Sequence, residues 1–397
     1  MTPAARVQAT IELLDQIIIA ARDGGAAADV LIARYFKDRR YAGSKDRRAV
    51  RDLVYRAIRR TANRPETGRA AILGLVQDDP EMAELFTGEG HAPAPVEAGE
   101  PRASASITPD WLSQHLYPQI DAAEQTAMLE RAPLDMRVNT LKTNASAMQK
   151  IFPEAMPVDQ LDAALRLPPD SRVDDSAAYR DGLIEVQDAG SQWLAKACEA
   201  KPGMHVIDLC AGGGGKTLAL AADMANQGQI LATDISRPRL QQLTPRAERA
   251  GANIIETLLL NPGKESEMLA SYEGQADIVL IDAPCSGSGT WRRNPESRWR
   301  ITEERLNRLI AEQARLLEIA SKLVAPQGKL VYAVCAITKG EGADQVQNFV
   351  SRHSDWKVDS ALEDDALWPG RRVGVGRLLT PLHDGTDGFY FARLQRL

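Results

Sequence analysis

Residues 204–217 read M-H-V-I-D-L-C-A-G-G-G-G-K-T, an apolar run that stops at an aspartate, a cysteine and four glycines. A short apolar stretch bounded by glycine is a buried strand. The K-T-L-A-L-A-A-D-M-A that follows has the composition of a helix. Strand, glycine turn and helix start together let the backbone approach a ligand and turn its N–H groups toward it. The next strand, G-Q-I-L-A-T-D-I, ends near Asp234, about twenty residues on, where nucleoside-binding sheets carry the acid that accepts from ribose hydroxyls.

The alternation continues along the chain. P-R-L-Q-Q-L-T-P-R-A-E-R-A-G is a helix, A-D-I-V-L-I-D-A-P a strand, L-N-R-L-I-A-E-Q-A-R-L-L-E-I-A-S-K-L a helix and G-K-L-V-Y-A-V-C-A-I a strand. The end, D-G-F-Y-F-A-R-L-Q-R-L, supplies a last strand suited to antiparallel pairing. Regular alternation predicts an α/β fold, a doubly wound parallel sheet over residues 185–397.

Upstream the period changes. Val7, Ile11, Leu14 and Ile18 share one face, and Val50, Leu53, Val54, Ala57 and Ile58 share another, so residues 1–86 are expected to form a helical bundle. The opposite face of the second of these helices carries Arg47, Arg48, Arg51, Arg56, Arg59 and Arg60. Residues 87–106, rich in Gly, Pro, Ala and Ser, read as a linker. Residues 107–184 are a small segment of mixed character, expected to be an α+β RNA-binding segment, in which R-V-N-T-L-K, Arg137 to Lys142, is a short strand.

The 397-residue length calls for more than one domain, and 44% hydrophobic with 26% charged residues is the composition of a soluble globular protein. No run of about 18 apolar residues is present and the N-terminus lacks a signal-peptide core, so a cytoplasmic location away from membranes is expected. Net charge is −6 and the pI about 5.6, which speaks against general polyanion binding. Two local clusters oppose that average: twelve basic against four acidic residues between Lys37 and Arg69, and Arg292, Arg293, Arg298, Arg300 and Arg305. Either alone is a solvated helix face; together, with one of them beside the candidate site, they point to a polyanionic substrate. Nothing demands more than a monomer.

Cys198, Cys210, Cys285 and Cys335 show no C-x-x-C spacing, which argues against a metal site or a disulfide framework. Cys285 stands in I-D-A-P-C-S-G-S-G-T-W-R-R-N-P, residues 281–295, at the mouth of a loop behind Asp282. Ligands of a doubly wound sheet bind at the carboxyl ends of its strands. Asp208, Asp234, Asp282 and Cys285 therefore belong to one rim, which Cys335 joins if its strand neighbours the one ending in Asp282. Taken alone, Cys335 also reads as a packed strand thiol. Cys198 is assigned to packing, and Cys210 to the wall of the nucleoside pocket.

The tail G-K-T also invites a phosphate-loop reading, but G-x-x-x-x-G-K-[ST] needs glycine where Cys210 stands. A P-loop NTPase is kept as an alternative that predicts magnesium-dependent hydrolysis. Two thiols and a carboxylate beside a nucleoside cofactor suit methylation of cytosine carbon 5. A thiolate adds to carbon 6, a carboxylate near N3 and N4 supports the ring proton, and the resulting enamine attacks the methyl group of S-adenosylmethionine. A second thiol helps release. Arg292 and Arg293 are candidates either for lowering the pKa of a thiol or for holding phosphates.

D-L-C-A-G-G-G-G-K-T, D-A-P-C-S-G-S-G-T-W-R-R-N-P, V-Y-A-V-C-A and D-G-F-Y-F-A-R-L together resemble the Sun-type RNA cytosine-C5 methyltransferases, over Arg131 to the C-terminus. The D-A-P-C-S-G-x-G element with its downstream cysteine is the specific part. G-S-K-D-R-R-A-V-R-D-L-V-Y-R-A-I-R looks like the NusB-type RNA-binding domain carried by bacterial members. The resemblance implies a class I, Rossmann-like methyltransferase domain acting on 16S ribosomal RNA before the small subunit is complete. It makes Cys335 the nucleophile and Cys285 the releasing thiol. It assigns Cys210, Ala211, Gly212, Gly213, Gly214, Gly215 and Lys216 to the methionine moiety, Asp234 to the ribose, and Asp282 to both cofactor and base; RNA would meet Arg47, Arg51, Arg292 and Arg293. The chain departs from the family in three ways: Gly213 stands for a proline, Val334 and Ala336 flank the nucleophile where hydroxyl residues are usual, and Asn261 replaces an aspartate. The altered V-C-A motivates a competing expectation, an RNA-binding assembly factor without catalysis.

Overall fold

The computed structural model describes residues 1–397, which form two compact units. The first comprises Met1–Leu116, Asp121–Leu129 and Thr290–Arg305. Its helices are α1 (Pro3–Asp23), α2 (Ala28–Asp38), α3 (Ser44–Arg60) and α4 (Gly68–Asp78). The Thr2 hydroxyl caps α1 by accepting from the Ala5 amide at 3.2 Å, with proline in the first turn, and Gly24 ends it at φ +74°. The apolar stripes predicted from spacing meet in one core: Val7, Ile11, Leu14 and Ile18 pack with Val50, Val54, Ala57 and Ile58 and with Ile72, Leu73 and Val76 of α4. A Cβ on Gly68 would stand 2.3 Å from the Ile11 carbonyl oxygen, so glycine sets how closely α4 approaches α1.

Two expectations are corrected here. The stretch read as a linker packs onto α4: the Ala103 amide donates to the Ala70 carbonyl, and Arg69 grips Glu100 at 2.6 Å and the Ala94 and Pro95 carbonyls. Composition hid this because the contacts are mostly made by backbone and by α4's arginine. The segment read as one piece from 107 to 184 is divided, its first part up to Leu116 and the short helix Ala122–Ala127 belonging to the helical unit.

The second unit comprises Tyr117–Ile120, Glu130–Gly289 and Leu306–Leu397. Strands β1 (Leu134–Val138), β2 (Met156–Val158), β3 (Leu161–Leu167) and β4 (Ile184–Val186) form a small antiparallel sheet in the order β2-β3-β1-β4. The larger sheet contains β5 (His205–Asp208), β6 (Gln229–Asp234), β7 (Ile255–Leu259), β8 (Ala276–Asp282), β9 (Val324–Val334), β10 (Trp356–Val358), β11 (Arg371–Val373), β12 (Gly376–Leu379) and β13 (Phe389–Arg396). Its order is β11-β12-β13-β9-β8-β5-β6-β7, with β10 pairing β13. Strands β7, β6, β5, β8 and β9 are parallel, whereas β13 runs antiparallel to β9.

The parallel strands are apolar runs because both faces are covered. Val206, Ile230, Ile278, Leu280 and Val331 pack with Trp193, Leu194, Leu218, Leu220 and Leu243 from the helices. From β5 the chain moves to β6 on one side, while β8 lies on the other. That reversal opens a crevice at the carboxyl ends of β5 and β8. No helix is long and apolar enough to cross a membrane.

Candidate active site

The chain leaves β5 at Asp208 and turns through Cys210–Gly214 into the helix Gly215–Asp223. Gly214 caps that helix at φ +83°, and a Cβ there would lie 2.0 Å from Leu243 Cδ1. Position and space both demand glycine. The amides of the first helical turn have no intrahelical acceptors and suit an anionic group. Asp208 is 1% exposed; its Oδ2 accepts from the Thr217 hydroxyl at 2.7 Å and its Oδ1 has no partner. Burial, with the charges of Asp282 and Asp234, pushes this carboxyl up to about 7 against the Thr217 hydrogen bond. Thr217 and Lys216 are thus both committed to carboxylates, Lys216 Nζ reaching Asp282 Oδ2 at 2.6 Å. Burial opposes the lysine charge, but Asp282, then Cys335 and Asp208, prevail and raise its pKa.

Asp234, at the end of β6, accepts from the Gly212 amide at 2.8 Å and the Ser236 amide at 2.6 Å. The carboxylate is therefore fixed against the glycine loop, with lone pairs left for hydroxyl donors. Glycine loop, fixed acid and unpartnered Asp208 oxygen make a polar cradle that fits a nucleoside bearing an amino-acid tail.

Ladder pairing sets β9 beside β8, with Asp282 opposite Ala333. That register brings Cys335 to the rim, where its Sγ lies 3.2 Å from Cys285 Sγ. The Cys285 thiol is pushed well up by its hydrogen bond to Cys335, by burial, and by the charges of Cys335 and Glu341, against a Gly287 amide. Cys210, beside the glycines, is raised by burial and by Asp208, Asp282 and Asp234. Cys198 is fully buried and donates to the Leu194 carbonyl, as packing requires.

The arginine expectations divide. Arg293 is exposed, but Arg292 is 6% exposed, buried within the helical unit. Arg298 donates to the Ile58, Ile107 and Pro295 carbonyls, and Arg300 to those of Gly25 and Ala26. Much of that cluster closes backbone carbonyls, a role that counting charges cannot distinguish from phosphate binding. The cation set beside the thiols is Lys216. On α3, Arg51 is exposed and Arg47 is exposed with its Nε on the Ala42 carbonyl.

One residue went unnoticed in the sequence. Glu341, a lone acid between two glycines, carries no periodic or motif signal, yet it is 0% exposed. Its carboxylate accepts from the Ser286 amide and hydroxyl, both at 2.6 Å, the Thr338 hydroxyl at 2.7 Å and Gln313 Nε2 at 3.2 Å.

A family model described as 16S rRNA methyltransferase RsmB/F matches residues 195–395, which contain both thiols, the glycine loop and all the rim carboxylates. The chain belongs to that family. S-adenosylmethionine is accordingly its cofactor. Over 302 residues it is 32% identical to a probable ribosomal RNA small subunit methyltransferase B of Synechocystis, covering 72% of this chain and 66% of the relative. It is 31% identical to ribosomal RNA small subunit methyltransferase B of Pectobacterium carotovorum over 74% of this chain and 67% of the relative. The chain thus spans about two thirds of the length of such RsmB relatives. The crystal structure of PH0851 superposes with a TM-score of 0.78 at 22% identity, covering 98% of this chain and 99% of that one, a likeness of fold. Against the P-loop alternative, the RsmB/F assignment covers the loop itself, whose lysine and threonine are engaged with aspartates.

Proposed function

We propose that this protein methylates carbon 5 of a cytosine in RNA, with 16S ribosomal RNA as the target, through a covalent cysteine adduct. The observation that carries the reading is the thiol pair: Cys335 and Cys285 at 3.2 Å on the carboxyl edge of the sheet, beside the Lys216–Asp282 pair. A fold that needed only to bind RNA gains nothing from two adjacent thiols, each costly to leave as a reactive group.

In this scheme Cys335 Sγ forms the bond to carbon 6 and the ring electrons shift toward carbon 5. Asp282, one oxygen held by Lys216, presents the other to N3 and N4 of the base and supports the proton that the ring takes up. S-adenosylmethionine, when bound, supplies an electrophilic methyl group. Residues Cys210 to Lys216 hold its methionine moiety and Asp234 its ribose. Cys285 accepts the proton lost from carbon 5, and the electrons of that C–H bond expel Cys335 as thiolate. The helical unit, with the basic face of α3 that includes Arg47 and Arg51, serves as a NusB-like RNA-binding domain, and Arg293 adds a further phosphate contact.

The test is incubation with unmodified 16S ribosomal RNA and S-adenosylmethionine, followed by nuclease digestion and mass spectrometry of the nucleosides. 5-Methylcytidine is the expected product. RNA binding without it would establish the competing reading, an assembly factor.

A further inference from the structure

The two thiols are chemically alike and touching, yet the proposed chemistry gives them different work. We propose that Glu341 is the positioning residue that makes them unequal, tethering the Cys285 loop to the turn after Cys335 and holding the proton of the pair on Cys285. This rests on the reading above.

The geometry has two parts. Ser286, whose amide and hydroxyl both donate to Glu341, follows Cys285 directly, and Thr338 lies three residues past Cys335. Gln313 bridges Glu341 Oε1 and the Pro284 carbonyl at 3.2 and 2.9 Å, so the residues on both sides of Cys285 are gripped. The main-chain carbonyl of Glu341 accepts from the Tyr332 hydroxyl at 2.6 Å, fixing the acid to β9 itself. Further ties run between the two loops: the Gly289 amide donates to the Cys335 carbonyl and the Ile337 amide to Ser288 Oγ, each at 3.0 Å. A carboxylate with no exposure is expensive unless its lone pairs are filled. Four donors fill them here, and every one belongs to a residue that shapes the thiol loops.

The second part is charge. Thiols 3.2 Å apart cannot both ionise readily, so the pair carries at most one negative charge. The Glu341 carboxylate is bonded to Ser286, the residue after Cys285, while the Lys216 ammonium is bonded to Asp282, whose strand pairs with the one that leads to Cys335. On this proposal, an anion tied to the Cys285 loop and a cation tied to the strand beside Cys335 favour the proton on Cys285 when one of the two thiols ionises. The Cys285 thiol is raised first by its hydrogen bond to Cys335 and by burial, and then by the charges of Cys335 and Glu341, a direction that agrees with this placement.

The proton balance closes. Cys335 enters as thiolate and forms the S–C6 bond, which removes its charge from beside Cys285. Cys285 then gives its proton to solvent, and the nearby Glu341 charge makes the resulting thiolate the stronger base. It takes the proton from carbon 5, the S–C6 bond breaks, and Cys335 returns to thiolate with Cys285 again a thiol. One proton leaves per turnover.

The experiment begins without RNA. Iodoacetamide labelling of the full-length protein, read by peptide mass spectrometry, is expected to favour Cys335 over Cys285 by at least about tenfold in the wild type. In Glu341→Gln, which keeps the shape and loses the charge, that preference should fall severalfold while cofactor affinity stays unchanged. An unaltered preference overturns the charge role. With RNA, Glu341→Ala should still form adduct, no faster than wild type, and release it at least about tenfold more slowly, leaving a slow-migrating species on a denaturing gel; release at the wild-type rate overturns the tether. Should Glu341→Ala fail to fold, Ser286→Ala, which removes one donor, must show the same slowing, and its absence overturns the tether equally. Failure of the parent reading looks different: no adduct from any variant, with thiol selectivity in Glu341→Gln still altered.

Discussion

Lys216, in the first turn of the helix that follows β5, holds Asp282, the last residue of β8, by a 2.6 Å ion pair. Two neighbouring strands are thus joined at the crevice by the charges the chemistry uses. Replacing Lys216 by Met leaves Asp282 partly buried without its cation and removes the positive charge acting on Cys335. We expect methyl transfer to fall about a hundredfold or more, which corresponds to roughly 3 kcal/mol of lost transition-state stabilisation. Alkylation of Cys335 at a fixed pH near neutrality should slow as well. Unchanged alkylation in a folded Lys216→Met protein would remove Lys216 from any role at the thiols.

Asp208 predicts a pH signature of stability. Its folded pKa of about 7 lies above the ordinary aspartate value, so between roughly pH 4 and 7 the folded state binds more protons than the unfolded one. The contribution is present in full below the unfolded pKa and is lost as pH rises through 7. Asp208→Asn keeps an acceptor for Thr217 and abolishes the titration. Relative to wild type the variant should gain roughly 2–4 kcal/mol between pH 5 and pH 8, read by urea denaturation at both values. Parallel pH profiles for the two proteins contradict the assignment.

Adjacent glycines should behave oppositely. A Cβ on Gly213 meets nothing closer than Arg246 Nη1 at 3.3 Å, whereas one on Gly214 strikes Leu243 at 2.0 Å in a left-handed backbone. Gly213→Ala is expected to keep cofactor affinity within about twofold. Gly214→Ala should cost at least about 1–3 kcal/mol in stability and weaken cofactor binding, measured by thermal melting and calorimetry.

These glycines also show what was legible in the sequence. Strand, turn and helix around residues 204–217 were readable because each level agrees: apolar run, glycines, helix formers. The β8–β9 adjacency that unites Asp282 with Cys335 was readable only as a condition, since strand order is not written in local pattern. Glu341 was invisible, because a single acid between glycines gives no periodicity and its role exists only once two distant loops meet. The arginines after Cys285 misled for the reverse reason: Arg292 and Arg298 are buried, and the bonds of Arg298 go to carbonyls that sequence does not display.

That difference between arginines is measurable. Arg47→Ala with Arg51→Ala should leave the fold intact, weaken RNA binding, and reduce the slope of log affinity against log salt by about 2. Arg298→Met should instead lower the melting temperature by several degrees, because it leaves buried carbonyls unsatisfied. A reduced salt slope in Arg298→Met, without a change in melting, would reverse the two assignments.

The most direct measurement takes Cys285→Ala and Cys335→Ala proteins, each with unmodified 16S ribosomal RNA and S-adenosylmethionine, to a denaturing gel. The account predicts a slow-migrating covalent RNA adduct with Cys285→Ala and none with Cys335→Ala. The reverse pattern would exchange the roles of the two thiols, and the absence of adduct and of 5-methylcytidine even in the wild type would contradict the covalent mechanism itself.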